Sequence, residues 1–394
     1  MSAAGLIVVG SGPAGISAAE SYRRNGGEGP VLVLSADPDL PYERPPLSKD
    51  FLRGDLDEVA DVDELLLHPP EWFVERDVDL RHGKPVTEID VEAHTVTVDG
   101  ERIPYGALVL ACGAGPTPLP VPGGERALLL RALADARRLR DAAADAKSAV
   151  VIGAGFIGCE AAASLAMRGL SVTLVAPDEV PQAKRLGAEA GRRLLDLVTA
   201  TGVRYVSGTS VTSVDESGVR LDDGVTVDCD LVLAATGVTP RSEIAVAAGL
   251  NVRDSRIVVG ADMRTSAPDV YAAGDVACAF NTAAGRHVAV EHWQDAVDHG
   301  DVAGAQAAGV TATWHAVPGF WSTIGDTAVK YHAWGDGYDA SRVVDHGDGF
   351  TVWYEAAGKT VGVLTCNADD DYDLGEGLIA DGRPAPVETT RTDT

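Results

Sequence analysis

LIVVGSGPAGISAAE, residues 6–20, and AVVIGAGFIGCEAAA, residues 149–163, decide how the rest of the chain reads. In each, a short apolar strand (Leu6 to Val9; Ala149 to Ile152) enters a glycine-rich turn that opens an Ala-rich helix. The glycines are Gly10, Gly12 and Gly15 in the first, and Gly153, Gly155 and Gly158 in the second. The first of each trio makes the turn. The second lets the main chain approach a pyrophosphate without a Cβ clash. The third lets the helix pack on the strand with its positive end on the phosphates. One such loop is a weak signal. Two in one chain predict two dinucleotides held face to face.

The remainder of the chain supports an α/β reading. Strand and helix patterns alternate, as in parallel sheets covered on both faces. A helix follows the first loop to about Asn25, then a strand at Val31 to Leu34 and the Pro-rich segment PYERPPLSKDFLRG from Pro41 to Gly54. A short helix at Pro70 to Arg76 and a hairpin ending in the Asp99-Gly100 turn lead to the buried strand YGALVLA, residues 105–111. Pro116, Pro118, Pro120 and Pro122 make a stiff linker. The second loop is followed by a strand at Ser171 to Val175, a helix at Leu186 to Thr201, a hairpin turning at Asp223-Gly224 and the strand LVLAATG, residues 231–237. This repeats the order of the first half. The expected architecture is two Rossmann-like dinucleotide-binding domains, the second inserted in the first, plus a small C-terminal α+β domain. VYAAGDVA, residues 270–277, is expected to be the last strand of the first domain, with Asp275 at its carboxyl end. The expected boundaries are 1–115 with 241–318, then 116–240, then 319–382, and a disordered tail at 383–394.

Composition narrows the function. The chain has 394 residues, 45% hydrophobic and 23% charged, too long for one core. A net charge of −27 argues against nucleic acid and anionic membrane surfaces as partners. The first strand begins near Leu6, leaving no room for a signal peptide, and no apolar run is long enough to span a bilayer. A soluble, cytoplasmic protein is expected. The five cysteines (Cys112, Cys159, Cys229, Cys278, Cys366) include no Cys-x-x-Cys pair. Neither a disulfide framework, a cysteine metal site nor a local dithiol relay is therefore expected. His292 and His299 lie seven apart on a predicted helix, without a third ligand for a metal.

From Leu6 to about Ile379 the chain resembles the FAD-dependent ferredoxin reductases of oxygenase systems, the putidaredoxin reductase and aromatic-ring dioxygenase reductase type. The most specific match is PYERPPLSK, residues 41–49. GAGFIGCE (153–160), LAATGVTP (233–240), TSAPDVYAAGDVA (265–277), EHWQDAVDHG (291–300) and FWS (320–322) add to it. The resemblance implies FAD on the first loop, at Gly10, Gly12, Pro13, Ala14 and Gly15. Arg44, Pro45 and Lys49 would line the flavin, and Val86 would touch the adenine through its backbone. Ala111, Cys112 and Gly113 would border the cofactor. Arg131, Gly274 and Asp275 would hold its pyrophosphate and ribityl region. Glu291, His292, Trp293 and Trp321 would stand near the ring. NAD(P)H would lie on Gly153, Gly155, Phe156, Ile157 and Gly158, with Ala176 and Gly237 alongside. Lys49 and Glu160 would face each other beside flavin N5, the cation balancing the charge that hydride arrival creates and the carboxylate holding the lysine.

Three departures from the family pattern stand out. The acid that ends the second strand and binds the FAD ribose is Ala36 here, and Asp37, one residue on, is expected to serve instead. The corresponding glutamate of the nicotinamide domain is Ala176, which removes discrimination against the 2′-phosphate of NADPH. Asp178 and Glu179 could restore it, while Lys184 and Arg185 could favour NADPH. FWS continues as Thr323-Ile324-Gly325, where the family often has Asp-Gln.

The function expected is passage of a hydride from NAD(P)H to FAD, then of single electrons to a small iron–sulfur protein serving a cytochrome P450 or oxygenase. A redox-sensing flavoprotein of the apoptosis-inducing-factor kind and a flavin oxidase or peroxidase are the alternatives. A basic patch over the flavin edge, including Arg44, Lys49 and Arg53, is expected to receive the acidic partner.

Overall fold

The structure, a computed structural model, describes residues 5–54 and 64–386. Leu6–Val9 is buried along its whole length and forms the centre of a five-stranded parallel sheet. Continuous rather than alternating apolar residues suit a strand covered on both faces. Across the sheet the order is Val270–Ala272, Ala107–Leu110, Leu6–Val9, Val31–Leu34, Val78–Arg81. The strand after Leu6–Val9 in sequence lies on one side of it and a later one on the other. This reversal opens a crevice at the carboxyl ends, where the Gly10 turn emerges.

The second sheet repeats the plan. Its order is Arg204–Val206, Ser171–Val175, Ser148–Ile152, Leu231–Ala234, all parallel. Leu128 bridges in parallel to Leu233, mirroring Val270–Ala272 in the first sheet. Each half also carries an antiparallel meander, three-stranded where a two-stranded hairpin is expected: Val86–Asp90 with Thr95–Val98 and Glu101–Pro104, and Val211–Val214 with Gly218–Leu221 and Thr226–Asp228. Asp99 and Gly100 both take positive φ, 51° and 81°, as a tight hairpin turn needs. The two chain crossings between the sheets, Ala114–Pro116 and Val238–Pro240, pair as an antiparallel ribbon.

Three further features differ from the sequence reading. VYAAGDVA is not one strand: it breaks after Ala272, and Asp275 sits in a 3-10 turn, Gly274–Val276, where Gly274 has φ +75°. The next strand, Ala277–Asn281, joins a separate four-stranded sheet with Val252–Arg253, Arg256–Val259 and Arg286–Ala289. Helix Ala183–Ala200 is interrupted at Gly187, whose φ of 81° is non-helical.

Helix Trp293–Ala307 lies on the first-loop helix, Pro13–Arg24, through small residues. A Cβ on Gly300 would fall 2.2 Å from the Ala14 carbonyl oxygen, and one on Gly304 2.2 Å from that of Ala18. Ser17 and Ser21 donate to the carbonyls of Val297 and Asp301. The C-terminal unit is an antiparallel sheet in the order Gly319–Ile324, Thr327–Ala333, Lys359–Cys366, Phe350–Ala356, Ala340–Asp345, backed by helix Asp369–Asp381. Arg383 accepts a bond from Thr360 N–H and Ala385 is buried, so the expected tail begins with packed residues. Its remainder, 387–394, lies outside the described residues.

Candidate functional site

The two glycine turns are built alike, atom for atom. A Cβ on Gly10 would stand 2.2 Å from the Ala111 carbonyl oxygen, and one on Gly153 2.5 Å from that of Ala235. Both have φ above 100°, so each packs bare backbone on the closing strand of its sheet. A Cβ on Gly15 would meet the Gly10 oxygen at 2.0 Å, and one on Gly158 the Gly153 oxygen at 1.9 Å. The middle glycines differ. Nothing lies within 4 Å of a Cβ on Gly12, and only Gln182 Nε2, at 3.8 Å, near one on Gly155. Each turn thus leaves an open cradle at a helix start, the shape a pyrophosphate requires.

Between the two halves lies a cleft of about 870 Å³. Pro13, Gly155, Phe156, Ile157, Gly158 and Gly237 line it from the two turns. Arg44, Pro45 and Lys49 come from PYERPPLSK, whose prolines start a 3-10 turn at Pro45–Ser48. Arg131, Asp275, Glu291, His292, Trp293 and Trp321 also line it. The other expected cofactor residues do not. Gly10, Gly15 and Gly153 serve the turns. Gly12, Ala14, Asp37, Val86, Ala111, Cys112, Gly113, Ala176 and Gly274 are likewise not among its lining residues.

At the centre Lys49 Nζ stands 2.8 Å from Glu160 Oε2, both nearly buried at 8% and 4% exposure. Ser48 donates to Glu160 Oε2 and Ser322 to Oε1, each at 2.6 Å. Sequence reasoning missed both serines, although each sits in a quoted motif. Three elements distant in the chain converge on this carboxylate: the PYERPPLSK turn, helix Phe156–Met167 and edge strand Gly319–Ile324. Lys49 also donates to the Pro45 carbonyl at 3.0 Å, which leaves one of its three N–H groups for the cleft.

Arg131 pairs with Asp275, and Arg44 donates to the Arg131 carbonyl. Tyr42 donates to Asp37 Oδ2 at 2.8 Å and accepts from Leu133 N–H, and burial pushes its hydroxyl up to about 12. Three buried donors facing this region, Arg131 Nε, Arg256 Nε and Trp293 Nε1, have no partner among the described residues. A buried donor without an acceptor is costly. These three suit an acceptor-rich guest.

Charge in the cleft runs against the charge of the whole. Seven basic and four acidic side chains line it, in a chain of net charge −27. Every lining carboxylate has its own cation: Lys49 with Glu160, Arg131 with Asp275, Arg256 with Glu291, Arg286 with Asp336. Arg44, Lys184 and Arg185 remain as the excess, so the cleft favours anions. Arg44, Lys49 and Arg53 do not form the expected docking patch: Lys49 is buried and paired, Arg44 is turned onto the Tyr42 ring, and the Arg53 side chain, 9% exposed, is paired with Asp50 and Asp326.

Aromatic rings close one wall. Phe156 and Phe320 meet edge to face at 4.7 Å, His292 tilts on Phe320 at 4.7 Å, and Trp293 meets Trp321 at 6.1 Å. His292 Nδ1 is 3.0 Å from buried Asp295, and among the described residues no group of three His, Cys, Asp or Glu side chains is placed to hold a metal ion. Its neighbour His299 is fully buried, away from the cleft lining, with Nδ1 accepting from Gly274 N–H at 3.4 Å. No cysteine lines the cleft, and all five are free thiols. Desolvation pushes the Cys112 and Cys159 thiols up to about 12, which keeps them protonated.

Comparison with known proteins agrees with this geometry. The family profile described as "Pyridine nucleotide-disulphide oxidoreductase" matches residues 5–300. Rhodocoxin reductase of Rhodococcus erythropolis is 34% identical over 98% of this chain and 92% of its own. Among solved structures, the ferredoxin reductase for the CYP199A2 system from Rhodopseudomonas palustris superposes with a TM-score of 0.91 at 32% identity, over 96% of this chain and 95% of that one. The reductase of the covalent putidaredoxin reductase–putidaredoxin complex gives 0.91 at 30% identity, over 98% and 94%.

Proposed function

The chain belongs to the pyridine nucleotide-disulphide oxidoreductase family, and from that premise we propose that it is an FAD-dependent NAD(P)H:ferredoxin oxidoreductase. Its electron acceptor is a ferredoxin or similar small iron–sulfur protein that serves a cytochrome P450 or another oxygenase. The observation that carries this reading is the convergence of two pyrophosphate cradles on one anion-favouring, cysteine-free cleft, with a buried lysine–glutamate pair at its centre. The relatives' names support the acceptor. The absence of a cysteine from the cleft supports single-electron delivery over disulfide reduction. No helix among the described residues is long and apolar enough to cross a membrane, in keeping with the proposed cytoplasmic setting.

In this reading the first cradle, with Arg44, Arg131 and Asp275, holds FAD. The second, with Ile157 and Gly237, holds NAD(P)H. The functional units follow as 1–115 with 241–318, 116–240 and 319–382. Bound FAD supplies two-electron uptake from the nicotinamide and one-electron release to the iron–sulfur protein. The chain's own part is electrostatic and steric. Lys49 offers its remaining N–H to the cleft in a site of low dielectric, where a fixed donor acts strongly. Glu160 holds that ammonium in place and is itself held by Ser48 and Ser322. Phe156, Phe320 and His292 present a ring-lined wall against which the reacting rings would be shielded from water.

Anaerobic stopped-flow reduction of the FAD-loaded protein, followed by cytochrome c reduction through an added ferredoxin, tests this. Rapid bleaching of the bound flavin and ferredoxin-dependent turnover are expected. A long-lived flavin–nicotinamide complex with negligible turnover would overturn it in favour of a redox sensor. Fast oxygen consumption without ferredoxin would favour an oxidase.

A further inference from the structure

Two of the three excess cations of the cleft stand together. Lys184 and Arg185 follow Gln182, whose Nε2 reaches to 3.8 Å from the Gly155 position, beside the open second cradle. Lys184 Nζ is also 3.7 Å from Asp178, two residues past Ala176 at the end of strand Ser171–Val175. Lys184 therefore lies between the pyrophosphate cradle and the strand end. In dinucleotide folds this is where the adenosine ribose is read: an acid there binds the 2′-hydroxyl, a cation the 2′-phosphate.

We propose that the nicotinamide site accepts the 2′-phosphate of NADPH, with Lys184 as the residue that recognises it. This rests on the reading of the second cradle given above. The position where a carboxylate would exclude a 2′-phosphate is Ala176, 2% exposed, with its N–H bonded to the Val206 carbonyl. Of the nearby acids, Asp178 is engaged by Lys184 and Glu179 is exposed. The Asp178 contact does not immobilise Lys184. At 3.7 Å, with the lysine side chain 84% exposed, it is an open surface pair of small value, and Lys184 leaves it at little cost for a dianionic phosphate. Arg185, exposed next to it in the chain, also lines the cleft and adds to the positive field there. The other lining carboxylates are neutralised by their own cations and offer little repulsion.

The test is binding rather than turnover. Calorimetric titration of the FAD-loaded protein with NADP⁺ and NAD⁺, and with the fragments 2′,5′-ADP and 5′-AMP, reads the adenosine end alone. The nucleotides with a 2′-phosphate are expected to bind at least as tightly as those without. Lys184→Ala is expected to weaken NADP⁺ and 2′,5′-ADP about ten-fold, the scale of one charge-assisted contact, while NAD⁺ and 5′-AMP change less than about two-fold. Ala176→Glu is expected to invert the preference. Tenfold tighter binding of NAD⁺ by the native protein, or equal weakening of all four by Lys184→Ala, would overturn the proposal. Failure of all four nucleotides to bind would instead remove the reading of the second cradle, and this inference with it.

Discussion

Ser322 reaches Glu160 from a strand that lies 162 positions further along the chain. Its removal in Ser322→Ala leaves one carboxylate oxygen without its donor in a buried site, at a cost of about 1–3 kcal/mol. Thermal unfolding should show that loss, flavin reduction by NAD(P)H should slow, and Ser322→Thr should restore both. Glu160→Ala should be more severe, since it strands buried Lys49 without a partner, at about 3–5 kcal/mol. His299 makes a second prediction. Burial lowers its pKa to about 4 against the pull of Asp295 and Asp275, while the unfolded chain protonates near 6.5. The neutral ring's contribution is complete above pH 6.5, falls as the pH drops, and is gone below about 4, a difference of about 3 kcal/mol. His299→Gln keeps an acceptor for Gly274 N–H and does not titrate. Its melting temperature should fall less steeply over that interval than the native protein's.

The glycine turns separate shape from binding at the scale of an element. Gly12 has φ −73° and open space where a Cβ would go, so Gly12→Ala should fold with stability within about 0.5 kcal/mol of native and lose FAD. Gly15→Ala should instead unfold at lower temperature, because its Cβ would overlap the Gly10 carbonyl. Far-ultraviolet circular dichroism melts together with flavin absorbance distinguish the two. Equal behaviour would mean that the first cradle holds no phosphate. These turns were legible in the sequence because their constraints are local: a tight turn, a close backbone approach and a helix start each name glycine at a fixed offset. The 3-10 turn that carries Asp275 was not. VYAAGDVA reads as a continuous apolar strand, and its break at Gly274 follows from packing on Ala14 and on helix Trp293–Ala307.

Across the whole molecule, the surface is strongly acidic while the cleft lining carries the excess of positive charge. Lys49 is buried against Glu160, Arg53 is held by Asp50 and Asp326, and Arg44 lines the cleft, so the three form no outward patch to steer an acidic partner. Reduction of an acidic ferredoxin should therefore accelerate as salt rises through the range in which the Debye length falls from about 30 Å to about 8 Å, because screening relieves repulsion. A rate that falls with salt would place a docking patch elsewhere on the surface. Arg53→Ala should lower thermal stability and leave that salt dependence unchanged, since its bonds to Asp326 and the Gly325 carbonyl tie the PYERPPLSK segment to the C-terminal unit.

The sequence by itself determined the two nucleotide turns, the repeated sheet order around them, the inserted layout and the motif that carries Lys49. These are written in short-range patterns: apolar runs, glycine offsets and turn dipeptides whose geometry needs no distant partner. Only the tertiary structure decided which charges face one another. It brought Ser48, Glu160 and Ser322 to one point, turned Arg44 into the cleft and Arg53 into ion pairs, and set Lys184 between Asp178 and the second cradle. The pairings at the centre of the cleft, Lys49 with Glu160, Ser322 with Glu160 and Arg131 with Asp275, join residues more than a hundred positions apart, and no local pattern encodes that distance.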